Sequence, residues 1–302
     1  MNNKSRRFPA SYKITTIYFA NSMKLAHLVF LSLAFFISSC SEYGKVSYEQ
    51  SPKIINVSHY DPKEKQRSGR SYSPSDQSAL KANGAHAMIA RCAKGPLLDT
   101  KCADFLAGAD EQGLLLGSYY YLLPGSSPHY HAERFIRRLR EIKANKGIRT
   151  DRILLVADID TNCQPAEIVS FVSRIKDLTG KYPVIYLENS STIRKNLNNA
   201  TRSQKAIMRR CPYWLALYSN KNKGLETPKK LTEASGVWSN WVMWQYGGVW
   251  WKNGRSQPYN YRGGSWQTPR YFGNLDRPLE RSGFNGSLEE LRQFWHKQSW
   301  TW

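Results

Sequence analysis

Short apolar runs alternate with amphipathic helical patterns along most of the chain. The helical patterns repeat their apolar residues every three or four positions, as Ile168, Phe171 and Ile175 do, which is typical of a helix with one buried face. Strands alternating with helices predict a parallel sheet with crossover helices, and eight strands predict a closed sheet. We therefore expect an α/β fold, a TIM-like (β/α) barrel of eight strands in a single domain. The apolar runs that predict its strands are residues 53–58, 87–93, 114–122, 153–160, 183–188, 213–219, 242–247 and 274–279.

Local signals mark the ends of several helices. Pro165 stands in the first turn of one pattern and Gly180 follows its end, and these are the residues that favour a helix start and stop. The pair Ser127-Pro128 precedes a second pattern. Ser287, followed three residues later by Glu290, is a capping-box sequence that predicts one more helix.

Residues 1–40 are typical of an export signal. They carry five basic residues and no acidic one, followed by a 13-residue apolar run at 25–37 and small residues. The run is shorter than the ~20 residues that a membrane-spanning helix needs. The ending Ile37-Ser38-Ser39-Cys40 resembles the lipobox of bacterial lipoproteins, which implies acylation of Cys40. An ordinary cleaved signal is the alternative, and Met23 offers a second start. Residues 41–53 are polar and predict a tether, so we expect the barrel to occupy 54–302.

The composition excludes a disordered protein and indicates an anionic neighbour. Of 302 residues, 41% are hydrophobic and 13% aromatic, too many for a disordered chain. The net charge is +21, and +16 remains without the five charges of the signal. Nucleic acid, an anionic membrane and an acidic wall polymer all fit this charge. The export signal and the lack of a P-loop, zinc-finger or RNP motif disfavour nucleic acid.

Four cysteines besides Cys40 give an even number in an exported chain, which favours two disulfides. Three pairings are possible. We favour Cys92–Cys102, which are near in sequence, and Cys163–Cys211, which flank two strands that could be neighbours. No Cys-x-x-Cys and no Cys/His cluster has the spacing of a zinc site, so we expect no metal.

Asp158 and Asp160 end one predicted strand and are the strongest catalytic candidates. Residues i and i+2 of a strand point to the same face, about 6.6 Å apart along the backbone. The carboxyl ends of barrel strands carry the catalytic groups of such enzymes. Two carboxylates there suit glycoside hydrolysis, with one acting as general acid and one stabilising positive charge. The alternative is a structural role, in which an Asp caps the next helix or pairs with an Arg.

The order of several short motifs resembles glycoside hydrolase family 25, the lysozymes. That family has an Asp-Val-Ser-x-Tyr strand, Gly-x-Tyr-His-Phe, Asp-x-Glu at a strand end, Trp-Gln-Tyr and a closing Asp-x-Asn. The matching segments are Asn56-Val57-Ser58-His59-Tyr60, Gly117-Ser118-Tyr119-Tyr120-Tyr121, Asp158-Ile159-Asp160, residues 183–186, 213–218 and 241–246, Leu275-Asp276-Arg277, and residues 284–291.

The resemblance implies about five regular crossover helices, and cleavage of the β-1,4 bond between N-acetylmuramic acid and N-acetylglucosamine without metal or cofactor. It makes Asp160 the proton donor, Asp158 its partner, and Asp276 a carboxylate near the rim. Two positions depart from the pattern: Asn56 stands in place of Asp, and Asp160 in place of Glu. The expected substrate-binding residues, some of which we expect to be core residues instead, are Asn56, Tyr60, Tyr119, Tyr121, Tyr186, Glu188, Trp214, Tyr218, Trp244 and Gln245. Glu188 could also replace a missing carboxylate, or form a salt bridge at the rim.

We therefore expect an exported, lipid-anchored muramidase that acts as a monomer on peptidoglycan glycan strands at the cell envelope. A catalytically impaired barrel that binds the same strands is the second hypothesis, motivated by Asn56 and Asp160. Nucleic-acid binding ranks last.

Overall fold

A computed structural model describes residues 51–59, 61, 74–125, 127–188, 191–216, 232, 235–247, 249–252, 255–258 and 279–302. Contacts divide the chain into residues 1–43 and a compact unit at 44–302. The second unit contains every described strand and helix and both hydrophobic cores. We therefore expect residues 44–302 to fold without the preceding segment. None of the helices in these ranges has the length and apolar character needed to cross a membrane.

Eight of the described strands close a barrel in the order β1-β2-β4-β5-β6-β7-β8-β11, with β11 pairing back to β1. The strands are β1 (Lys53–Val57), β2 (Ala85–Lys94), β3 (Leu97–Leu98), β4 (Leu115–Tyr121), β5 (Arg152–Asp158), β6 (Val184–Glu188), β7 (Tyr213–Ala216), β8 (Met243–Gly247), β9 (Val249–Lys252), β10 (Arg255–Pro258), β11 (Glu280–Phe284) and β12 (Trp300–Thr301). The predicted barrel is confirmed. The prediction for its last strand is corrected in two ways: the strand lies at 280–284 rather than 274–279, and it runs antiparallel to both neighbours.

Seven helices lie in the described part of the chain. They are α1 (Pro74–Ala82), α2 (Cys102–Glu111), α3 (Pro128–Lys146), α4 (Pro165–Thr179), α5 (Ser191–Asn198), α6 (Arg202–Met208) and α7 (Leu288–Gln298). The predicted ends are confirmed: α4 stops at Gly180, whose φ of 74° is left-handed, and the Ser287 capping box opens α7. These helices follow the predicted alternation with the strands as far as β7.

Alternating strand residues face two separate cores. In β5, Leu154 and Val156 point into the barrel, whereas Ile153 and Leu155 pack against the surrounding helices. This period of two is the geometry of a strand buried on both faces. The same alternation directs Asp158, the next inward position, into the barrel at its carboxyl end.

Helix α7 closes the opposite, amino end of the barrel. Its Leu291 and Trp295 belong to the interior core, and Trp295 Nε1 donates to the Leu116 carbonyl at 2.7 Å. A Cβ at Gly117 would lie 2.8 Å from Ile89 Cγ1 and 3.3 Å from Trp295 Cζ2, so glycine makes room for both side chains. Apolar side chains therefore fill the amino end of the barrel interior.

The disulfide predictions are wrong for this structure, because Cys92, Cys102, Cys163 and Cys211 are all buried free thiols. Cys92 and Cys102 are neighbours, and burial together with the hydrogen bond to Cys102 raises the pKa of Cys92. Cys163 follows the carboxyl end of β5, whereas Cys211 precedes the amino end of β7. Since β5 and β7 run in the same direction, the second pair lies at opposite ends of the barrel.

Candidate active site

Asp158 and Asp160 lie together at the carboxyl end of β5. Asp158 is the last residue of the strand, with 6% of its surface exposed, and its Oδ1 accepts the Asp160 backbone N–H at 3.1 Å. Asp160 lies just beyond the strand and is half-buried. The Tyr121 hydroxyl donates to its carbonyl at 3.3 Å. This arrangement places one carboxyl group inside the barrel and the other nearer the solvent.

Burial raises the pKa of Asp158 well above the ordinary value for Asp. The negative charges of Asp160 and Glu280 raise it further, while the hydrogen bond from the Asp160 amide and the positive charge of Arg91 lower it. A carboxyl group in such surroundings keeps its proton to a higher pH than an exposed one. The site therefore contains a buried carboxyl group with a raised pKa beside a second, more accessible one, and a raised pKa is a property that general acid catalysis uses.

Glu280 is a third carboxylate of the site, and sequence reasoning missed it. It begins β11, directly opposite Asn56 of β1, and the Asn56 side-chain amide donates to Glu280 Oε2. Gln245 Nε2 lies 3.0 Å from Asn56 Oδ1 and 3.4 Å from Glu280 Oε2, and the Tyr186 hydroxyl donates to Gln245 Oε1 at 2.6 Å. Two amides and a phenol thus orient this carboxylate. The available signal was an acidic residue just before the family-like ending at 284–291.

This network gives a physical reason for Asn56. Its amide N–H₂ group donates to Glu280 while its carbonyl oxygen accepts from Gln245. An ionised Asp at the same position would place a second carboxylate against Glu280 in a buried site. Asn therefore removes a like-charge repulsion and satisfies both neighbours.

We expect Asn56→Asp to lower the free energy of unfolding by about 2–3 kcal/mol at neutral pH, because it replaces a hydrogen bond to a charged group with repulsion. Urea unfolding monitored by circular dichroism would measure the change. The double variant N56D/E280Q exchanges the amide donor and the carboxylate acceptor of this hydrogen bond, and it should recover most of the lost stability. Equal stability of Asn56→Asp and the wild type from acidic to neutral pH would contradict the network.

A buried cation lies beside the carboxylates, and sequence reasoning missed this one as well. Arg91 of β2 pairs through Nε with Asp99 at 3.1 Å, and its Nη2 lies 3.0 Å from His59 Nδ1. Asp99 also accepts the His59 backbone N–H at 2.8 Å. Burial and the charge of Arg91 lower the pKa of His59, which favours the neutral ring. The signal was a charged residue within the apolar run of β2.

The aromatic residues divide between the site and the cores. Tyr119, Tyr121 and Tyr186 lie on inward positions near the carboxyl end. Trp214 is inward but 1% exposed, donates to Ser282 Oγ at 3.0 Å, and packs edge-on below Tyr186. Trp244 is 2% exposed and belongs to the outer core. The prediction that these two tryptophans bind substrate is therefore corrected: both are core residues.

Residues 55–254 match the family model for glycosyl hydrolases family 25. The chain belongs to this family. The predicted family and the class of enzyme, a glycoside hydrolase, are confirmed. No curated protein matches the sequence significantly.

Three solved structures are similar to the barrel of this chain. The muramidase from Acremonium alcalophilum has 18% sequence identity and a TM-score of 0.52, and the match covers 81% of this chain and 99% of the muramidase chain. A family 25 glycosyl hydrolase from Bacillus anthracis has 14% sequence identity and a TM-score of 0.53, and the match covers 85% of this chain and 99% of the other. The catalytic domain of endolysin ply40 from Listeria monocytogenes bacteriophage P40 has 15% identity and a TM-score of 0.51, covering 80% and 96%. At these identities the likeness concerns the fold.

Some residues predicted from the family 25 motifs, and the predicted lipidation site, lie beyond the part of the chain that the structure describes. Tyr60, Tyr218, Asp276 and Cys40 lie outside the described residues, and Glu188 ends β6 with a side chain that is not described. The described ranges contain no group of three or more His, Cys, Asp or Glu side chains placed to hold a metal ion.

Proposed function

We propose that this family 25 protein is a lysozyme-type peptidoglycan hydrolase that cleaves the β-1,4 bond between N-acetylmuramic acid and N-acetylglucosamine. The observation that carries the proposal is the carboxyl group cluster of Asp158, Asp160 and Glu280 at the carboxyl end of a family 25 barrel. The names of two similar structures, a muramidase and a phage endolysin, support the substrate class.

In the proposed mechanism, Asp158 and Asp160 hold one proton between them in the free enzyme. Their coupling and the burial of Asp158 favour this singly protonated pair. Asp160, the more accessible of the two, donates the proton to the glycosidic oxygen as the C1–O bond breaks, so that N-acetylglucosamine leaves with a 4-hydroxyl group. Both carboxylates are then charged when positive charge develops on the sugar ring, so their repulsion is replaced by attraction to that ring. Water then adds to C1 of N-acetylmuramic acid, and its proton returns to the carboxylate pair.

The other groups around the pair adjust its charge and hold the glycan. Glu280, held in place by Asn56, adds negative charge that favours a cationic transition state. The positive charge of Arg91 limits the net negative charge of the site. Tyr121 and Tyr186, which are partly exposed, offer ring faces and hydroxyl groups of the kind that bind sugars, whereas Tyr119 is buried in the interior core. These assignments make Asp158 and Asp160 the catalytic residues, and Tyr121 and Tyr186 the substrate-binding ones.

A binding protein without activity is the competing function, since Asp160 is one methylene shorter than the Glu of the family pattern. Incubation of residues 44–302 with insoluble peptidoglycan separates the two. An enzyme releases soluble muropeptides with time, whereas a binding module pellets with the polymer and releases none. Pelleting without release would reject the hydrolase and support the binding module.

We further propose that the protein is exported and acylated on Cys40. The basic start, the apolar run at 25–37 and the small residues before Cys40 support this localisation. In a bacterial host we expect the wild type in the membrane fraction and Cys40→Ser in the soluble fraction, as judged by immunoblotting. Mass spectrometry of the N-terminal peptide should show the acyl groups. An unmodified Cys40, or a Cys40→Ser protein that stays in the membrane fraction, would contradict acylation as the anchor.

A further inference from the structure

A cluster of five cations, here called the basal patch, covers part of the closed amino end of the barrel. The patch consists of Arg152, Lys176, Lys181, Arg210 and Lys297. They belong to the first position of β5, the last turns of α4 and α7, and the segments that lead into β6 and β7. All five therefore lie at the end of the barrel opposite the carboxyl group cluster.

Two cations of the basal patch pack against Tyr182, and the others are linked to the end of α7 through polar contacts. Lys176 Nζ and the Arg210 guanidinium lie 5.8 and 5.6 Å from the centre of the Tyr182 ring, and Arg210 also donates to the Tyr182 hydroxyl at 3.3 Å. Lys181 Nζ donates to the Lys297 carbonyl at 2.6 Å, and Arg152 donates to the His296 carbonyl at 3.1 Å. The patch is thus one connected surface.

The positive charge of the patch is not neutralised by nearby acids. Asp151 and Asp177 are exposed neighbours in sequence, yet none of the ion pairs found among the described residues includes any of the five cations. One role of Lys176 is to bind the carbonyl of Gly180 at the end of α4. An ammonium group carries three donors and a guanidinium five, so donors remain at each cation for an external anion.

The position of the patch favours one kind of anionic partner. Strand β1 begins at Lys53, beside Ala85 at the start of β2, so the first described strand enters the barrel at the same amino end. A domain tethered to a bilayer at this end presents the patch to the lipid headgroups. Its carboxyl end, with the proposed catalytic groups, then points away from the membrane.

We infer that the basal patch binds the anionic phospholipids of the membrane to which the chain is anchored, and so directs the catalytic end toward the wall. This inference rests on the proposed membrane anchoring, and it is separate from the proposed hydrolysis. Clusters of basic residues beside a membrane anchor attract anionic lipids, and each residue adds to the binding. The interaction should weaken with salt, as exposed electrostatic contacts do.

The test measures co-sedimentation of residues 44–302, which lack the anchor, with phosphatidylcholine vesicles that contain or lack phosphatidylglycerol. We expect binding only to the anionic vesicles. The variant K181E/R210E/K297E should lower the partition coefficient roughly a hundredfold. The neutral variant K181Q/R210Q/K297Q, which keeps hydrogen-bonding side chains, should give a smaller loss.

A matched control carries the same change of charge on the side of the barrel, in R134E/R137E/K195E, and should lose only a few-fold. Equal losses in both charge-reversed variants, or equal binding to neutral vesicles, would overturn the inference. It would also be overturned if the patch variant lost binding to soluble poly(glycerol phosphate) while keeping vesicle binding, since the partner would then be a wall polymer. Cleavage of soluble glycan strands should be unchanged in the patch variant, so a failure of the lipid assay stays distinct from a failure of the hydrolase.

Discussion

Asp160→Asn is expected to lower peptidoglycan cleavage roughly 10³-fold, the effect of removing a general acid. The amide keeps the size of the side chain but has no acidic proton for the glycosidic oxygen. Asp160 lies beyond β5 and is half-buried, and its described contacts to Asp158 and Tyr121 use backbone atoms. Circular dichroism checks that the variant is folded, and the assay is the rate of release of soluble muropeptides.

Asp160→Glu is the matched control for this variant. It restores the longer side chain of the family pattern, and a displacement of about 1 Å can change a rate ~10²-fold. We expect the Glu variant to be at least as active as the wild type. Full activity of Asp160→Asn would exclude Asp160 as the donor, and loss of activity in both variants would indicate a structural role instead.

Asp158→Asn should lower the activity of the protein while raising its stability. We expect cleavage to fall by about 10²-fold or more, because the proton-sharing partner is lost. The free energy of unfolding should rise at neutral pH, because burial and neighbouring negative charge disfavour the ionised carboxylate of Asp158. Asn needs no ionisation in the buried site, and its side-chain oxygen still accepts the Asp160 N–H.

The pH dependence of this difference has a definite sign. The pKa of Asp158 is raised in the folded state, so the folded protein binds this proton more tightly than the unfolded chain. The bound proton's contribution to the free energy of unfolding is fully present below the pKa of Asp in the unfolded chain, about 3.9. It is lost as the pH rises toward the pKa of Asp158 in the folded protein. The stability advantage of Asp158→Asn should therefore grow with pH over that window in urea titrations, and wild-type activity should fall as the pH rises past the pKa of the pair. A variant that is less stable than the wild type at neutral pH would contradict this account.

The barrel was predictable because burial on both faces leaves long apolar runs in seven strands. The eighth, β11, reads Glu-Arg-Ser-Gly-Phe, in which the polar side chains make contacts within the structure. Asn56 pairs with Glu280, and Trp214 pairs with Ser282. A strand whose inward residues serve hydrogen bonds has no apolar pattern to find. Its antiparallel direction depends on tertiary pairing with β1 and β8.

The site was predictable where it depended on strand alternation and hidden where it depended on packing. Asp158 could be assigned from its place at a strand end. Trp244 and Gln245 are consecutive in β8, so only one of them faces the interior, and the structure selects Gln245. Glu280 and Arg91 acquire their roles from partners distant in sequence, Asn56 and Asp99. Such pairings become visible only when the barrel closes.

The most direct test of the central claim is the chemical identity of the ends produced by residues 44–302 acting on purified peptidoglycan. Fragments are reduced with borohydride and analysed by mass spectrometry, with Asp160→Asn as the parallel sample. We predict new reducing ends on N-acetylmuramic acid in the wild type and none in the variant. Reducing ends on N-acetylglucosamine, or no new ends although the protein binds the polymer, would contradict the proposed muramidase.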